Sequence, residues 1–283
     1  MINQRIKLLL RDSQRTLMLI AQFSLAILAL NMLISEVSQI VRSLTLNLGF
    51  QVDHLIVGSI SGLDNVNQND FPKQYAALNA AMTDLQKQDF IESAGYLLFY
   101  PYSKSSSDSW SYSKNFLTVD ALNTLKLNLR FGDLFTKNDE FSTNEYCLIN
   151  MESYNEFKVF DPEPIGKNYY DLLAKVVQST ANDEILSELR KITPLIIKGV
   201  VDNFHMLGRY DLSTSKQLIK LAYSENQEHY QNQWGELYKL RNFVIRLRSG
   251  ENEALARYKI YEILNSHLIG KNLSVESCKQ LEQ

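Results

Sequence analysis

Cysteine is scarce in this chain of 283 residues, which contains only Cys147 and Cys278. The two form neither a CxxC pair nor a zinc-ligand spacing, so the sequence carries no cysteine-based metal site. Cys147 lies in a strand-like apolar run and is predicted to be a small buried hydrophobe. A disulfide between the two cysteines is compatible with a location outside the cytoplasm, and the sequence leaves that pairing open.

The chain also lacks the marks of nucleic-acid-binding proteins and of the common enzyme classes. Its formal net charge is −3, which is unlike the basic face that nucleic-acid binding requires. None of its four histidines has HxxxH or HExxH spacing, and neither a P-loop nor a GxSxG motif occurs. We therefore predict that the chain is not an enzyme, hydrolyses no ATP itself, uses no cofactor or metal and binds no nucleic acid.

Two polar groups beside predicted strands are interpreted as structural. Asp202, Asn203 and His205 follow a strong apolar strand and could form a metal or proton site, but a strand-ending turn capped by Asp and Asn explains them more simply. Arg246 and Arg248 alternate with apolar residues over residues 243–248. This alternation predicts a half-exposed strand with a solvated basic face.

One long uncharged run is present near the N-terminus. Residues 16–34 form 19 consecutive residues without a charge, close to the roughly 20 that a helix needs to cross a bilayer core. Basic residues lie on its N-terminal side only, so the positive-inside rule predicts a cytoplasmic N-terminus and an outer location for the rest. No later stretch is apolar enough to return through the membrane. The basic residues are Arg5, Lys7, Arg11 and Arg15.

Two alternatives to a membrane anchor remain open for this run. A cleaved signal peptide would have a shorter apolar region and a small-x-small cleavage site, whereas residues 33–38 make a poor site. A buried helix of a soluble protein is the other alternative. We favour the anchor because the run has the length and the flanking charges of a membrane helix.

The rest of the chain is predicted to be an α+β protein carried on this helix. We expect an amphipathic cytoplasmic segment over residues 1–15, a transmembrane helix over 16–34 and a helical stalk over 35–49 that Gly49 ends. Residues 50–283 are predicted to form a bipartite extracytoplasmic domain. It consists of strand–helix–strand units on each side of a subdomain inserted at roughly residues 101–190.

The local patterns predict the main elements of that domain. Short β-branched or alternating runs predict strands at residues 54–60, 90–99, 146–150, 192–201 and 243–248. Helical spacing of apolar residues predicts helices at residues 71–88, 152–157 and 253–268. Glycine and proline predict turns at residues 131–135 and 161–167.

Five segments occur in an order that a known family shares. The first is the basic segment followed by LIAQFSLA at residues 19–26. The second is LGFQVDHLI at residues 48–56, which matches a stalk-to-strand junction through Gly49, Phe50 and Asp53. The third is FGDLF at residues 131–135, which is similar to a G-R-x-F turn through Gly132 and Phe135, although residue 133 is Asp where Arg is usual.

The two remaining segments lie further along the chain. The fourth combines LIN at residues 148–150 with DPEPIGK at 161–167, and the fifth is IKGVVDNFH at residues 197–205. The matching residues in these two segments are Asn150, Pro164, Gly166, Lys167, Gly199, Asp202, Phe204 and His205.

Together, the five segments make the chain resemble the MacB/FtsX-like ABC transporter permeases, in the MacB-like extracytoplasmic core domain and its first transmembrane helix. The resemblance implies export or envelope remodelling, in which a separate ATPase drives movement of the periplasmic domain through the stalk. It implies four kinds of partner: an ABC ATPase subunit, further permease helices or subunits, a homo- or heterodimer partner, and membrane lipid. The implied location is the bacterial inner membrane, crossed once, with the main domain periplasmic or extracellular.

The chain departs from a full permease at its C-terminal end. Residue 283 is reached where such a permease would continue into its second membrane helix. The expectation is therefore either a truncated or split permease subunit, or a stand-alone bitopic sensor or accessory protein whose outer domain binds a ligand or partner.

Overall fold

The computed structural model describes residues 2–45, 47–63, 70–100, 114–178, 194–204, 216–222 and 240–281. The chain divides into two compact units, Met1–Leu46 and Asn47–Gln283. His205 and most of the residues that join the later strands lie outside the described ranges.

The first unit is one uninterrupted helix, α1, which runs from Ile2 to Thr45. Leu17–Val41 is the one segment among the described residues that is long and apolar enough to cross a membrane. None of this segment is buried, which is contrary to the alternative of a buried helix in a soluble protein. The helix continues through the predicted amphipathic segment and ends shortly before Gly49, so its division into anchor and stalk stays a prediction.

The second unit is built on a mixed sheet that has nine strands in the described part of the chain. Its spatial order is β4-β6-β5-β7-β3-β2-β8-β1-β9. The strands are β1 Leu55–Ser61, β2 Ile91–Leu97, β3 Lys114–Leu117, β4 Leu129–Gly132, β5 Glu145–Asn150, β6 Leu195–Val201, β7 Leu218–Leu221, β8 Asn242–Leu247 and β9 Asn272–Ser277. The fold class is therefore α+β, as the sequence predicts.

Six helices accompany the sheet in the described ranges, and side-chain caps begin four of them. The helices are α2 Phe71–Gln86, α3 Val119–Leu125, α4 Met151–Phe160, α5 Tyr169–Val177, α6 Glu253–His267 and α7 Cys278–Leu281, and a 3-10 helix spans Lys137–Phe141. A side-chain oxygen that accepts a backbone N–H of the first turn stabilises a helix start. The four caps are Thr118 for α3, Asn150 for α4, Asn168 for α5 and Asn252 for α6.

The sheet has two halves that meet at the parallel pair β3–β7. One half contains β3, β2, β8, β1 and β9, and the other contains β4, β6, β5 and β7. The predicted insertion at 101–190 stops short of β6 and β7, yet both strands pair with strands from inside it. The second half of the sheet therefore reaches about thirty residues beyond the boundary that composition suggests, to Leu221.

Alternate residues of each strand pack on opposite faces of the sheet, and the two faces have different cores. On one face, α2 and α6 cover the first half and α4 and α5 cover the second half, each pair with its own core. On the other face, a single core around α3 includes residues from both halves. Successive residues of a strand point to opposite faces, and Val244 and Ile245 of β8 accordingly lie in different cores.

Strand β8 corrects a prediction. Every residue of Asn242–Leu247 is buried, so this strand is not half-exposed, and Arg246 is not on a solvated face. The reason is the position of β8 between β1 and β2, with α3 packed on one face and α2 and α6 on the other. The predicted turn at 131–135 is also partly wrong, because Phe131 and Gly132 belong to β4.

The two cysteines are both free and fully buried. Cys147 lies in the core under α4 and α5, and Cys278 lies in the core around α3. Burial raises the pKa of the Cys147 thiol, as expected for a charged form removed from water. The prediction of Cys147 as a buried hydrophobe is confirmed.

Replacing Gly95 with Ala should destabilise the sheet domain, because α3 crosses β2 at this glycine. A Cβ atom here would lie 2.7 Å from Cα of Ala121 and 2.8 Å from the carbonyl carbon of Asp120, and both are backbone atoms. We expect a loss of about 1–3 kcal/mol, the usual cost of overpacking, measured by thermal unfolding of the full chain in mild detergent. The control is Gly250→Asn at an open position with φ +90°, a conformation that Asn tolerates. Equal shifts for both variants would contradict this packing.

Candidate functional site

The segment that directly follows α1 in the chain, residues 47–54, is the candidate functional site and is named here the junction segment. It contains Gly49, Phe50 and Asp53 of the second family-like motif. The structure brings it together with Asn203 and Phe204 of the fifth motif. Gly132 and Gly199 lie instead at the β4–β6 edge, and Pro164, Gly166 and Lys167 lie in a turn beside β6. His205 lies outside the described residues.

Gly49 is required by both its backbone conformation and its surroundings. Its φ of +79° is a backbone conformation that residues with a side chain rarely adopt. Its N–H donates to Asn47 Oδ1 at 3.0 Å. A Cβ atom would overlap the carbonyl oxygen of Asn203 and lie 2.9 Å from Cα of Phe204. Leu48, Phe50 and Phe204 are buried around this contact in the core that α3 covers. The end of β6 and the start of the sheet domain are therefore packed backbone against backbone.

Gln217 binds Phe204, which follows the end of β6. Its side-chain amide donates to the Phe204 carbonyl at 2.5 Å and accepts the Phe204 N–H at 3.2 Å, as a paired strand would. Its own N–H donates to Asn150 Oδ1 at 3.1 Å. The same oxygen accepts from Ser153 at the start of α4. Asn150, Ser153 and Gln217 are all buried, so this network ties β5, β7 and α4 to Phe204.

Asp202 and Asn203 have structural partners. The Asp202 N–H donates to the Asn128 carbonyl at 2.9 Å, and its carboxylate forms a two-point ion pair with Arg130. Asn203 Oδ1 accepts the Glu152 N–H at 3.1 Å. These contacts fit the interpretation as a strand-ending turn. No group of three His, Cys, Asp or Glu that could hold a metal occurs among the described residues, which exclude His205.

Arg246 is the residue that sequence reasoning misjudged. Its side chain is buried, the whole residue being 3% exposed. Its guanidinium donates to three carbonyl oxygens, those of Asp53 at 2.6 Å, Gln51 at 2.8 Å and Thr124 at 2.9 Å. Burial lowers the pKa of Arg246, but an arginine stays protonated in proteins. One side chain therefore fixes two residues of the junction segment to the C-terminal turn of α3.

A direct backbone bond reinforces the contact that Arg246 makes. The Gln51 N–H donates to the Leu125 carbonyl at 3.1 Å, and a cation beside the last carbonyls of α3 is also favoured by the helix dipole. The junction segment is thus held at two places. Gly49 and Phe50 contact the end of β6 in one half of the sheet, and Gln51 and Asp53 are bound through Arg246 to β8 in the other half.

Gly132, Phe135 and Gly199 form a second group at the β4–β6 edge. Gly132 has φ +71°, is paired with Gly199, and would place a Cβ atom 3.0 Å from Cα of Gly199. A Cβ atom on Gly199 would lie 3.1 Å from the carbonyl carbon of Asp133. Phe135 then enters the core around α3. The motif glycines here allow two backbones to approach closely.

Pro164, Gly166 and Lys167 form a third group, a turn beside β6. The Gly166 N–H donates to the Ile197 carbonyl at 2.8 Å, and the Ile197 N–H donates to the Lys167 carbonyl at 3.0 Å. Pro164 is buried, whereas Lys167 is exposed. Gly166 adopts φ +80° with open space around it, so its role is to form the turn.

A small cavity lies apart from the junction segment. It measures about 150 Å³ and is enclosed by α2, β2, the start of α3 and the 3-10 helix. The charged groups in its wall interact with one another, since Lys137 Nζ lies 2.8 Å from Asp120 and 3.8 Å from Glu140. This cavity is therefore a less specific site than the junction segment.

Replacing Arg246 with Met should loosen the junction segment and destabilise the domain. The change leaves three carbonyl oxygens without their charged donor, at an expected cost of about 2–4 kcal/mol. The first measurement is thermal unfolding of the full chain in detergent. The second is hydrogen exchange at the Leu55 amide, which donates to the Val52 carbonyl, and exchange there should speed up more than in β5.

Arg248→Met is the matched control, because Arg248 is exposed just past the end of β8 and its Nε donates to one carbonyl, that of Ile91 at 3.3 Å. It should leave both measurements close to wild type. If Arg248→Met destabilised the chain as much as Arg246→Met, the three carbonyl contacts would not be what holds the junction segment.

Acid should weaken the contact between the 3-10 helix and β6. Asp139 accepts from Lys198 Nζ at 2.6 Å and from the Thr136 N–H at 2.6 Å. Burial acts to raise the pKa of Asp139, but these hydrogen bonds outweigh it and hold the pKa below its ordinary 3.8. The stabilisation is therefore fully present well above the ordinary pKa of 3.8 and is lost as the pH falls through the lowered pKa.

Unfolding measured against pH tests this assignment. Asp139→Asn should lower stability at pH 7 by about 1–3 kcal/mol and should approach wild type at the acid end. Asp89→Asn, at an exposed loop residue, serves as the control. If acid lowered the stability of Asp139→Asn and of wild type equally, the loss of stability would be due to other carboxylates.

Comparison with solved structures finds similar chains at low sequence identity. No family model matches the chain, and no curated protein sequence matches it. The periplasmic region of MacB from Actinobacillus actinomycetemcomitans is similar with a TM-score of 0.48 and 15% identity, over 83% of this chain and 93% of that one. The extracellular domain of the noncanonic ABC-type transporter YknZ from Gram-positive bacteria is similar with a TM-score of 0.43 and 14% identity, over 69% and 87% of the two chains.

Proposed function

We propose that this chain is a membrane-anchored extracytoplasmic module of a MacB/FtsX-like ABC transporter permease, acting in export or envelope remodelling. The observation that carries the proposal is the double attachment of the junction segment. The chain that leaves an apolar, fully exposed helix is bound at once to both halves of a large sheet. This arrangement suits a protein that passes movement from a membrane helix to an outer domain.

The anchor is supported by exposure as well as by sequence. Large apolar side chains along Leu17–Val41 are exposed, including Phe23 at 68% and Leu25 at 69%. Burying such surface in lipid is strongly favourable. Four basic residues precede the segment, whereas Arg42 alone follows it closely, so the N-terminus belongs in the cytoplasm and the sheet domain outside.

The route of movement follows from how tightly the junction segment is held. Packed backbones and buried hydrogen-bond networks shift as units, because close-packed interiors deform little. A displacement of residues 49–53 acts on β6 through Phe204 and on β8 through Arg246. Both halves of the sheet would then be loaded by the helix, which is the mechanical coupling that such permeases need.

The energy source belongs to a partner. The chain has no P-loop, so within an ABC transporter the ATP would be hydrolysed by a separate subunit. The proposed partners are therefore an ABC ATPase and further permease helices or subunits in the inner membrane.

Labelling of single cysteines tests the orientation. Asn265 is exposed on α6, so Asn265→Cys should react with a membrane-impermeant maleimide in intact spheroplasts. Ser13→Cys, which precedes the apolar segment, should react only after the membrane is opened. Cys147 and Cys278 are buried and should stay silent in the native chain. Reaction of Ser13→Cys in intact spheroplasts would reverse the proposed orientation.

Purification of the tagged full chain from native membranes tests the transporter assignment. An ABC ATPase and a permease with several membrane helices should co-elute in mild detergent and persist through a second column. Absence of both, from a chain that alkaline carbonate fails to extract, would reject the transporter and leave the anchor intact.

A further inference from the structure

Strands β2 and β3 separate soon after they pair, and the small cavity lies where they separate. β2 pairs with β8 from Ile91 to Leu97, but it pairs with β3 only at Leu97 and Leu117. Thr118 then bonds to the edge of β2, since its N–H donates to the Tyr96 carbonyl at 2.9 Å and its Oγ1 accepts the Tyr96 N–H at 3.1 Å. The cavity begins at this point and is lined by α2 from one face of the sheet and by the start of α3 from the other.

The lining of the cavity combines apolar groups with an excess of negative charge. Its charged members are the carboxylates of Asp120 and Glu140 and the ammonium of Lys137, so one negative charge is in excess. A concave apolar surface with a few converging polar groups is the usual form of a small-molecule site. The buried apolar side chains of the lining come from α2, from β2 and from the residue that precedes the β8 segment, and they are Met82, Tyr96 and Leu240.

Lys137 shows that the charged part of the lining accommodates an ammonium group. Its Nζ lies 2.8 Å from Asp120 Oδ2 and 3.8 Å from Glu140 Oε1. The Lys137 side chain is 56% exposed, so water screens both contacts and they hold it weakly. The side chains of Asp120 and Glu140 are less exposed, at 34% and 15%. A cation that reached the same two carboxylates from inside the cavity would interact with them more strongly, because less water would surround it.

We infer that this cavity is a binding site for a primary ammonium group on a short apolar stem, which is either a free amine or the end of a lysine side chain of a peptide. The ammonium replaces that of Lys137 between Asp120 and Glu140, and the stem lies against Met82 and Tyr96. Charge-assisted hydrogen bonds favour the first contact, and removal of apolar surface from water favours the second.

The size and charge of the cavity agree with this class of ligand. A volume of about 150 Å³ accepts a molecule of about six non-hydrogen atoms, which is close to the size of a butylammonium group. An anion of the same size would meet two carboxylates and would be repelled. A nucleotide or a lipid chain is too large for this volume.

A ligand in the cavity contacts structure that belongs to both halves of the sheet. Helix α2 and strand β2 belong to the first half. The 3-10 helix that carries Lys137 and Glu140 is fixed to β6 in the second half, because Asp139 accepts from Lys198 Nζ at 2.6 Å. Occupancy would therefore connect the two halves where β3 leaves β2. The binding site depends neither on the membrane anchor nor on the transporter assignment.

Titration of the full chain in mild detergent tests the site. The probe is n-butylamine hydrochloride, and n-butanol is the neutral probe of nearly the same size. The amine should raise the temperature of unfolding with a saturable dependence on its concentration, because it binds the folded chain. The alcohol should not. Slower hydrogen exchange at the Thr118 amide, which bonds to β2 beside the cavity, would locate the bound amine.

Two substitutions should change the affinity for n-butylamine in opposite directions. Lys137→Met removes the resident ammonium and should tighten binding about tenfold, whereas Asp120→Asn removes a carboxylate and should weaken it about tenfold. Lys167→Met and Glu163→Gln make the same changes in net charge at exposed residues of the turn beside β6, and both should bind like wild type. If Asp120→Asn failed to fold, the tighter binding of Lys137→Met would decide the test.

Two further probes separate the sources of the ammonium group. Nα-acetyl-lysine methylamide carries it on a peptide unit, and Nα-acetyl-norleucine methylamide is the control that lacks it. Binding of the lysine probe at least as tight as that of n-butylamine assigns the site to a basic peptide segment, and weaker binding assigns it to a free amine. Equal effects of n-butylamine and n-butanol, no saturable effect of any probe, or equal affinity in Lys137→Met and wild type would overturn the inference.

Discussion

The guanidinium of Arg246 is the contact on which the arrangement of the sheet domain depends. It reaches from a central strand to the carbonyl oxygens of Gln51, Asp53 and Thr124, and so joins the junction segment, α3 and β8 at one buried point. Those carbonyls belong to a turn and to a helix end, where no strand partner is at hand. A buried cation is stable there only because each carbonyl supplies the electron density that water would otherwise provide. Removing the arginine would leave both the carbonyls and the shape of the junction segment unsupported.

Five of the family-like residues have geometric roles in this structure. Gly49, Gly132 and Gly199 are places where two backbones approach too closely for a side chain, and Asn150 and Phe204 take part in one buried network. Their work is geometric: they set how the chain enters the sheet and how β4 meets β6. A motif made of such residues constrains the fold strongly and says little about cargo, which is why the proposed function rests on mechanics and carries no substrate.

Much of the architecture was predictable from local pattern. The apolar periodicity of residues 71–88 and 253–268 and the β-branched run at 192–201 all correspond to elements of the expected type. The order of strands was not predictable, because the parallel pairs β5–β6 and β3–β7 join segments that are far apart in sequence. Arg246 was misjudged for a related reason. Alternation of arginine with apolar residues indicates a solvated face only if one face of the strand is open, and β8 is covered on both. Gln217 gave no signal, since a single amide before a four-residue strand is unremarkable until its partners are known.

The different layering of the two faces has a consequence for how the sheet can deform. Around α3 one core continues across both halves, while on the opposite face each half has its own pair of helices. The halves meet in a parallel ladder of four residue pairs, Lys114–Leu117 against Leu218–Leu221. The sheet therefore resists stretching but can bend at this short ladder. The core around α3 stays continuous across the bend. A load arriving at residues 49–53 would therefore change the angle between the halves before it broke either of them.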